Sequence, residues 1–136
     1  MASDNVRLLD TVYEHWSRGD WTPRFEVYAP DFEWGWSEEF PDLGGVVSED
    51  AATSDRLRQW LSGWEDWRVE AERFVASGDV VVAMTRYRGR GKTSGAAVDA
   101  EGAHLWTFRD GKVVRLVVYS SRDAALRAAG LADSGP

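Results

Sequence analysis

The alternation of apolar and polar residues near the C-terminus predicts a β-hairpin. In a strand over residues 103–108, His104, Trp106 and Phe108 point to one face and the residues between them point to the other. The Asp-Gly pair at 110–111 supplies the positive φ that a tight reversal needs. Residues 113–119 are mostly β-branched and apolar, which is typical of a central strand. One face of the first arm carries three rings, those of His104, Trp106 and Phe108.

Apolar residues at helical spacing predict three helices in the first half of the chain. The first begins at a Ser3 N-cap and ends at Gly19. The second runs from Thr22, with Pro23 at its first helical position, to about Tyr28. The third begins at a Ser48 cap and ends near Gly63, with residues 57, 60, 61 and 64 on one apolar face.

Alternating segments predict five strands, at residues 32–36, 67–75, 80–90, 96–108 and 113–119. Residues 37–47, rich in Glu and Gly, are predicted as a loop at the rim of a pocket. A last helix at 124–129 is capped by residues 121–123 and ended by Gly130. We expect a single domain over residues 1–131, followed by a disordered tail at 132–136.

This order of elements indicates an α+β domain, because helices cluster early and strands late. The sheet is expected to be mixed and mainly antiparallel. We expect it to be strongly curved, with three helices on its concave face, and to form a cone with one open end. The short C-terminal helix is additional to those three.

Composition narrows the class of protein. The chain has 136 residues, a net charge of -7 and no cysteine. The absence of cysteine excludes disulfides, thiolate nucleophiles and Cys-ligated zinc. The acidic balance argues against nucleic acid and anionic membranes as partners. No signal peptide or membrane-spanning run is recognisable, so a cytoplasmic protein is expected. Eight Trp residues favour either a bulky core or an aromatic-lined cavity.

Three stretches, in this order of elements, resemble the nuclear transport factor 2-like superfamily, in particular its SnoaL-like, polyketide cyclase-like branch. They are SRGDW at 17–21, YAPDFEW at 28–34 and HLWTFRDGKVVRLVVYSSRDAALRAAGL at 104–131. The resemblance extends over roughly residues 8–131. It implies a cystatin-like cone and acid/base chemistry without a cofactor. Related domains usually pair through the outer sheet face, which carries apolar residues here, so a homodimer is expected.

The functional residues of individual family members can be compared with the matching positions of this chain. The Tyr, base and oxyanion partner of the ketosteroid isomerases fall on Val12, Trp36 and His104. Two of the three are lost, so that chemistry is not expected. The Asp-Arg-Asp set of the limonene epoxide hydrolases cannot be assembled. The late-strand Asp of the SnoaL-like cyclases also falls on His104, which makes this residue the implied acid or base.

His104 is the main candidate for catalysis. Desolvation lowers the pKa of an imidazole in an apolar pocket and leaves a neutral base near pH 7. The alternative is a structural histidine bonded to a neighbouring strand or to a Tyr. Tyr13 is the candidate hydroxyl donor, although helical geometry turns it by about 100° from Val12. His15 is expected at the boundary or surface.

The candidate ligand-contacting residues are Trp16, Trp34, Trp36, Trp60, Trp64, Trp106 and Val118. Ordinary core packing explains the helical spacing of Trp60 and Trp64 equally well. The three arginines at 86, 88 and 90 share a strand face, typical of a solvated sheet edge. The loop acids are expected to be solvated, or to reach the pocket mouth; they are Glu38, Glu39 and Asp42.

These residues suggest a cofactor-free and metal-free enzyme that moves a proton on a small hydrophobic carbonyl compound. Isomerisation, aldol cyclisation and dehydration are reactions of this type. The alternatives are a non-catalytic domain that binds a small hydrophobic molecule, and a scaffold that dimerises through its sheet and keeps a vestigial pocket.

Overall fold

The computed structural model describes residues 2–20, 27–36, 45–48 and 62–130, which form two helices and six strands. In chain order these are α1 (Ala2–Ser17), β1 (Tyr28–Trp36), β2 (Gly45–Ser48), β3 (Trp64–Ser77), β4 (Val80–Gly91), β5 (Ala97–Arg109), β6 (Lys112–Tyr119) and α2 (Arg122–Ala128). Neither of these helices combines the length and the apolar character needed to cross a membrane.

All six strands belong to one mixed sheet, in the order β2-β1-β6-β5-β4-β3. β1 and β6 are parallel, and the other neighbours are antiparallel. The prediction of an α+β fold with a mainly antiparallel sheet is therefore confirmed. The two helices predicted around residues 22–28 and 48–63 fall mostly outside the described residues.

The first helix ends as the sequence predicts. Gly19 has a φ of 78°. Its N–H donates to the Trp16 carbonyl at 3.0 Å, and the N–H of Asp20 donates to the His15 carbonyl at 2.9 Å. These two bonds satisfy the last carbonyls of α1 in a Schellman arrangement. The helix begins at Ala2, so Ser3 lies inside the first turn instead of capping it.

The predicted hairpin is also confirmed. Asp110 and Gly111 both have positive φ, 52° and 79°, as a type I′ turn requires. Their turn joins Arg109 to Lys112, which are paired at the ends of β5 and β6. The tight turn sets the pairing at its own end of the hairpin, and an irregularity between Thr107 and Phe108 shifts the register before His104 pairs with Val118.

The sheet has two differently covered faces. The face toward α1, the inner face, carries the main core, including Val81, Ala83, Trp106 and Phe108 with Leu9 and Val12 of α1. α1 packs mainly on β3 and β4. The opposite, outer face is covered in part by α2, where Ala125 is buried in a cluster with Val82, Met84 and Ala103. Pairing of two copies through the outer face stays a prediction.

Two predicted boundaries are wrong. Residues 45–48 fall in or beside the predicted loop and helix cap, but they form strand β2. Its residues 46 and 47 pair with Gly35 and Trp34. Residues 46 and 47 are both valines, and this β-branched side chain suits a pleated edge strand. Tyr28 was expected in a helix but begins β1, where it pairs with Val113 of β6.

The outer face of β3, β4 and β5 carries a network of charges. Arg86 lies 2.7 Å from Asp99 and is also ion-paired with Glu72 and Glu101. Arg88 pairs with Glu70 and Asp99. Arg86 and Arg88 therefore share a charged, partly solvated face, as their alternation predicts.

Candidate functional site

Four side chains form a hydrogen-bonded row on the inner face, which we call the polar row. The indole Nε1–H of Trp106 donates to the hydroxyl oxygen of Tyr13 at 2.8 Å. That oxygen lies 2.5 Å from Nδ1 of His104. On the other side of the imidazole, Nε2 lies 3.3 Å from the hydroxyl oxygen of Tyr87. The row thus joins α1, β4 and β5.

Strand alternation and the helix stripe explain why these residues meet. His104 and Trp106 are two residues apart on β5 and therefore point to the same face. Tyr87 lies four residues after Ala83 on β4 and shares its inner face. Tyr13 and its neighbour Val12 are both buried, so the apolar stripe of α1 is wide enough to include each of them.

The partners of Tyr13 set the direction of the hydrogen bonds. An indole N–H can only donate, so the Tyr13 oxygen accepts from Trp106. The Tyr13 proton then goes to Nδ1 of His104, which is the acceptor 2.5 Å away. This leaves the His104 proton on Nε2, directed at Tyr87. The tautomer is assigned from the network, because it lets Tyr13 and both imidazole nitrogens make their bonds.

Burial keeps the row neutral. His104 is only 5% exposed, and desolvation lowers its pKa from 6.5 to about 3. Burial also raises the pKa of Tyr13 well above its usual 10.0. The expected neutral imidazole is therefore present. Its partner is a Tyr, as in the structural alternative, so the contacts by themselves fit both roles proposed for His104.

Tyr87 and its neighbour Trp67 lie flat on the sheet because glycines stand beneath them. A Cβ at Gly102 would lie 2.6 Å from the Tyr87 ring and 2.7 Å from its hydroxyl oxygen. A Cβ at Gly89 would lie 2.6 Å from the Trp67 ring. The two rings are stacked, with centroids 5.9 Å apart and planes at 11°. The absence of both side chains leaves room for an aromatic wall next to His104.

Sequence reasoning missed Tyr87 and Trp67. The signal for Tyr87 was its alternation with Val81 and Ala83 along β4. Arg86 and Arg88, on either side of Tyr87, suggested that this part of β4 is a solvated edge, but both arginines point to the other face.

Several predicted ligand-contacting residues surround the polar row. The Trp16 ring lies 5.2 Å from Tyr13 and 6.2 Å from His104, centroid to centroid. Val118 is the register partner of His104 on β6. Trp64 contacts Trp67, with centroids 4.8 Å apart, and extends the aromatic wall along β3.

The described part of the structure does not place the other predicted ligand-contacting residues in the site. Trp60 lies outside them. Trp34 and Trp36 belong to β1, but their side chains are not described. His15 is at the end of α1, where Nδ1 is 2.9 Å from an Asp20 carboxylate oxygen, in agreement with a boundary position. Within the described residues, no three His, Asp or Glu side chains cluster in a way that could hold a metal ion.

The fold is that of the nuclear transport factor 2-like proteins. A protein of this class with unknown function from Burkholderia pseudomallei is similar, with a TM-score of 0.74 and 21% identity over 91% of this chain and 95% of that one. TerC, co-crystallised with polyporic acid, has a TM-score of 0.72 and 22% identity over 96% and 98%. A candidate SnoaL-like polyketide cyclase from Jannaschia has a TM-score of 0.70 and 20% identity over 99% and 95%.

Within this class, the family model for the SnoaL-like domain matches residues 9–116. The chain belongs to the SnoaL-like domain family. No significant match is found among the curated proteins.

Proposed function

We propose that this protein binds a small hydrophobic carbonyl compound against its inner face and catalyses a proton transfer on it without a cofactor. Isomerisation, aldol cyclisation and dehydration share this step. The observation that carries the proposal is the polar row, which orients a tyrosine hydroxyl beside an aromatic wall. A polarising donor aimed at a carbonyl oxygen stabilises the enolate that forms when an α-proton leaves.

Tyr87 is the proposed catalytic residue. Its oxygen accepts from Nε2 of His104, so its own proton points away from the imidazole. Hydrogen bonds in a chain polarise one another, which strengthens the Tyr87 hydroxyl as a donor. The carbonyl oxygen of the ligand would accept a hydrogen bond from this hydroxyl.

His104 and Tyr13 are positioning residues in this proposal. A histidine with a pKa of about 3 is a weak base at neutral pH, and an imidazolium would be costly in so buried a place. His104 instead orients Tyr87, and Tyr13 orients His104. The candidate proton acceptor is one of the loop carboxylates, Glu38, Glu39 or Asp42, which are expected to be solvated unless one reaches the pocket mouth, and which lie outside the described residues.

Two comparisons support a small organic ligand. The similar structure from Jannaschia is described as a candidate polyketide cyclase. TerC, of similar fold, was co-crystallised with polyporic acid.

The second candidate function is non-catalytic binding of the same kind of compound. Both ring nitrogens of His104 are already occupied by tyrosine hydroxyls, and the imidazole carries no charge. A complete, neutral row suits a receptor for a hydrophobic molecule as well as it suits an enzyme.

The test uses 1-indanone, a flat ketone whose α-protons exchange with solvent. Binding is measured by isothermal titration calorimetry, and exchange is measured in D2O by NMR. We expect wild type to bind and to accelerate exchange, and Tyr87→Phe to lose about a hundredfold of the acceleration. Tyr119→Phe is the matched control, because Tyr119 packs in the outer-face cluster. Binding without acceleration would favour the non-catalytic function, and absence of binding would refute both.

A further inference from the structure

Thr85 holds a polar atom that the structure leaves without a partner. The residue is 0% exposed, and its hydroxyl oxygen makes no hydrogen bond. Among the described residues it is the one buried side-chain oxygen or nitrogen in this state. Burying an unpaired hydroxyl is unfavourable, and Val would fill the same volume without that cost. The hydroxyl is therefore expected to have a partner in the working state of the protein.

The position of Thr85 points to that partner. Thr85 alternates with Ala83 and Tyr87 on β4, so its side chain belongs to the inner face. Its register partner on β5 is Gly102. The position that a Gly102 Cβ would occupy is 2.7 Å from the Tyr87 hydroxyl oxygen. Directly paired side chains stand about 5 Å apart, so the Thr85 and Tyr87 hydroxyls border the same space above Gly102.

The backbone around Thr85 is held from the opposite face. Arg122 of α2 donates to the Thr85 carbonyl at 2.8 Å and to the Gly102 carbonyl at 3.1 Å. The same guanidinium lies 2.6 Å from Glu72. These bonds fix the two strands where the hydroxyl is buried, so a small backbone shift is a poor way of satisfying it.

We propose that the Thr85 hydroxyl is a second polar contact for the ligand, and that it takes an oxygen on the carbon β to the carbonyl bound by Tyr87. The inference rests on the proposed function and narrows its substrate class to β-hydroxy carbonyl compounds. These are the products of aldol cyclisation and the substrates of dehydration. Both hydroxyls border the space above Gly102, so one small ligand with oxygens on two carbons that are separated by a third can contact both of them.

Thr85 is 0% exposed in the free protein, so the proposed contact requires the half-buried Tyr87 ring to shift within the space above Gly102. The bond between Tyr87 and Nε2 of His104 is 3.3 Å, at the long end for a hydrogen bond, so the ring can shift slightly toward His104 and keep the bond. Gly102 presents no side chain to obstruct that movement.

The experiment compares 1-indanone with 3-hydroxy-1-indanone, which carries the additional β-hydroxyl. Affinities are measured by isothermal titration calorimetry for wild type, Thr85→Val and Thr85→Ser. We expect wild type to prefer the hydroxyketone by about tenfold, Thr85→Val to lose the preference, and Thr85→Ser to keep it. Thr107→Val is the matched control. Thr107 is next to the inner-facing Trp106 on β5, so its side chain points to the outer face, away from the site. A preference that survives in Thr85→Val overturns the proposal.

A second measurement excludes a trapped water as the partner. Without ligand, Thr85→Val should be at least as stable as wild type toward urea, because it removes an unpaired hydroxyl. A loss of stability would mean that the hydroxyl is already satisfied in the free protein, and the proposal would fail. If wild type binds neither ketone, the proposed function itself fails. If 1-indanone binds and only the Thr85-dependent preference is missing, this inference alone is wrong.

Discussion

Tyr13 and His104 lie 91 residues apart in the chain, yet 2.5 Å separates the phenolic oxygen of one from Nδ1 of the other. This contact attaches the first helix to the long strand β5 by a polar bond inside an apolar core. The Tyr13 oxygen also accepts from Trp106. One hydroxyl therefore satisfies two buried groups, which gives it a large effect on stability.

We expect Tyr13→Phe to lower the free energy of unfolding by about 3 kcal/mol, because each buried group left unpaired costs about 1–3 kcal/mol. Urea unfolding measures the change. Thr11→Ala is the control on the same helix, since it removes an exposed bond to the Arg7 carbonyl and should cost less than about 0.5 kcal/mol. A Tyr13→Phe protein within about 1 kcal/mol of wild type would contradict the assigned row.

The low pKa of His104 predicts a specific acid sensitivity. Above pH 6.5 the residue is neutral in both the folded and the unfolded chain and contributes no pH dependence. Below pH 6.5 the unfolded chain binds a proton that the folded protein does not bind until about pH 3. Stability should therefore fall by about 1.4 kcal/mol for each pH unit below 6.5.

The interval between pH 6.5 and 4.5 isolates this effect. Arg109 and Arg122 lower the pKa values of Asp31 and Glu72 below their ordinary 3.8 and 4.5, so those carboxylates lose their contribution only at lower pH. We expect urea unfolding of His104→Gln to show a much smaller slope in this interval than wild type. Parallel curves for wild type and His104→Gln would count against a buried neutral imidazole.

Gly102→Ala tests the close approach of Tyr87 to β5. The new Cβ would meet the Tyr87 ring at 2.6 Å and the Tyr119 carbonyl oxygen at 2.9 Å. We expect a loss of about 2 kcal/mol, since overpacking costs about 1–3 kcal/mol, with altered near-ultraviolet circular dichroism from the displaced ring. Gly95→Ala measures the cost of a strained φ without a steric contact, about 1 kcal/mol, because Gly95 has a φ of 71° and open space around it. A Gly102→Ala protein with wild-type stability and an unchanged near-ultraviolet spectrum would contradict the close approach of Tyr87.

Arg122→Met tests whether α2 fixes the strands beneath the site. The side chain is 27% exposed and donates to the Thr85 and Gly102 carbonyls. We expect a loss of about 2 kcal/mol in urea unfolding, because two carbonyls lose a charged donor. Arg88→Met is the control, since that side chain is 56% exposed and its ion pairs should contribute less than about 1 kcal/mol. A smaller loss at Arg122 than at Arg88 would argue against this role.

The elements that depend on local chemistry were predictable from the sequence. Gly19 ends α1 through its own positive φ, and the Asp110–Gly111 turn joins two strands with clear alternation. β2 was not predictable, because a four-residue edge strand between glycine and acidic residues shows too few positions for a period. Its existence depends on pairing with β1, which is a tertiary effect.

The candidate site was only partly predictable for a similar reason. His104 and Tyr13 were each recognisable as buried polar residues, but a single sequence gives no information that they are partners. Tyr87 sits between outward-pointing arginines, and its inward direction is clear only once β4 is paired with β5. The unpaired Thr85 hydroxyl likewise becomes visible only when every neighbour is in place.

Trp106 favours one direction of hydrogen bonding along the polar row. Because the indole nitrogen only donates, the Tyr13 oxygen accepts from it, and the Tyr13 proton is left to donate to His104. Exchanging that indole for a phenyl ring would free Tyr13 to accept from the imidazole, and the sequence of donors and acceptors could then run backwards. The same fold would hold two interconverting protonation patterns, one offering a ligand a donor and the other an acceptor.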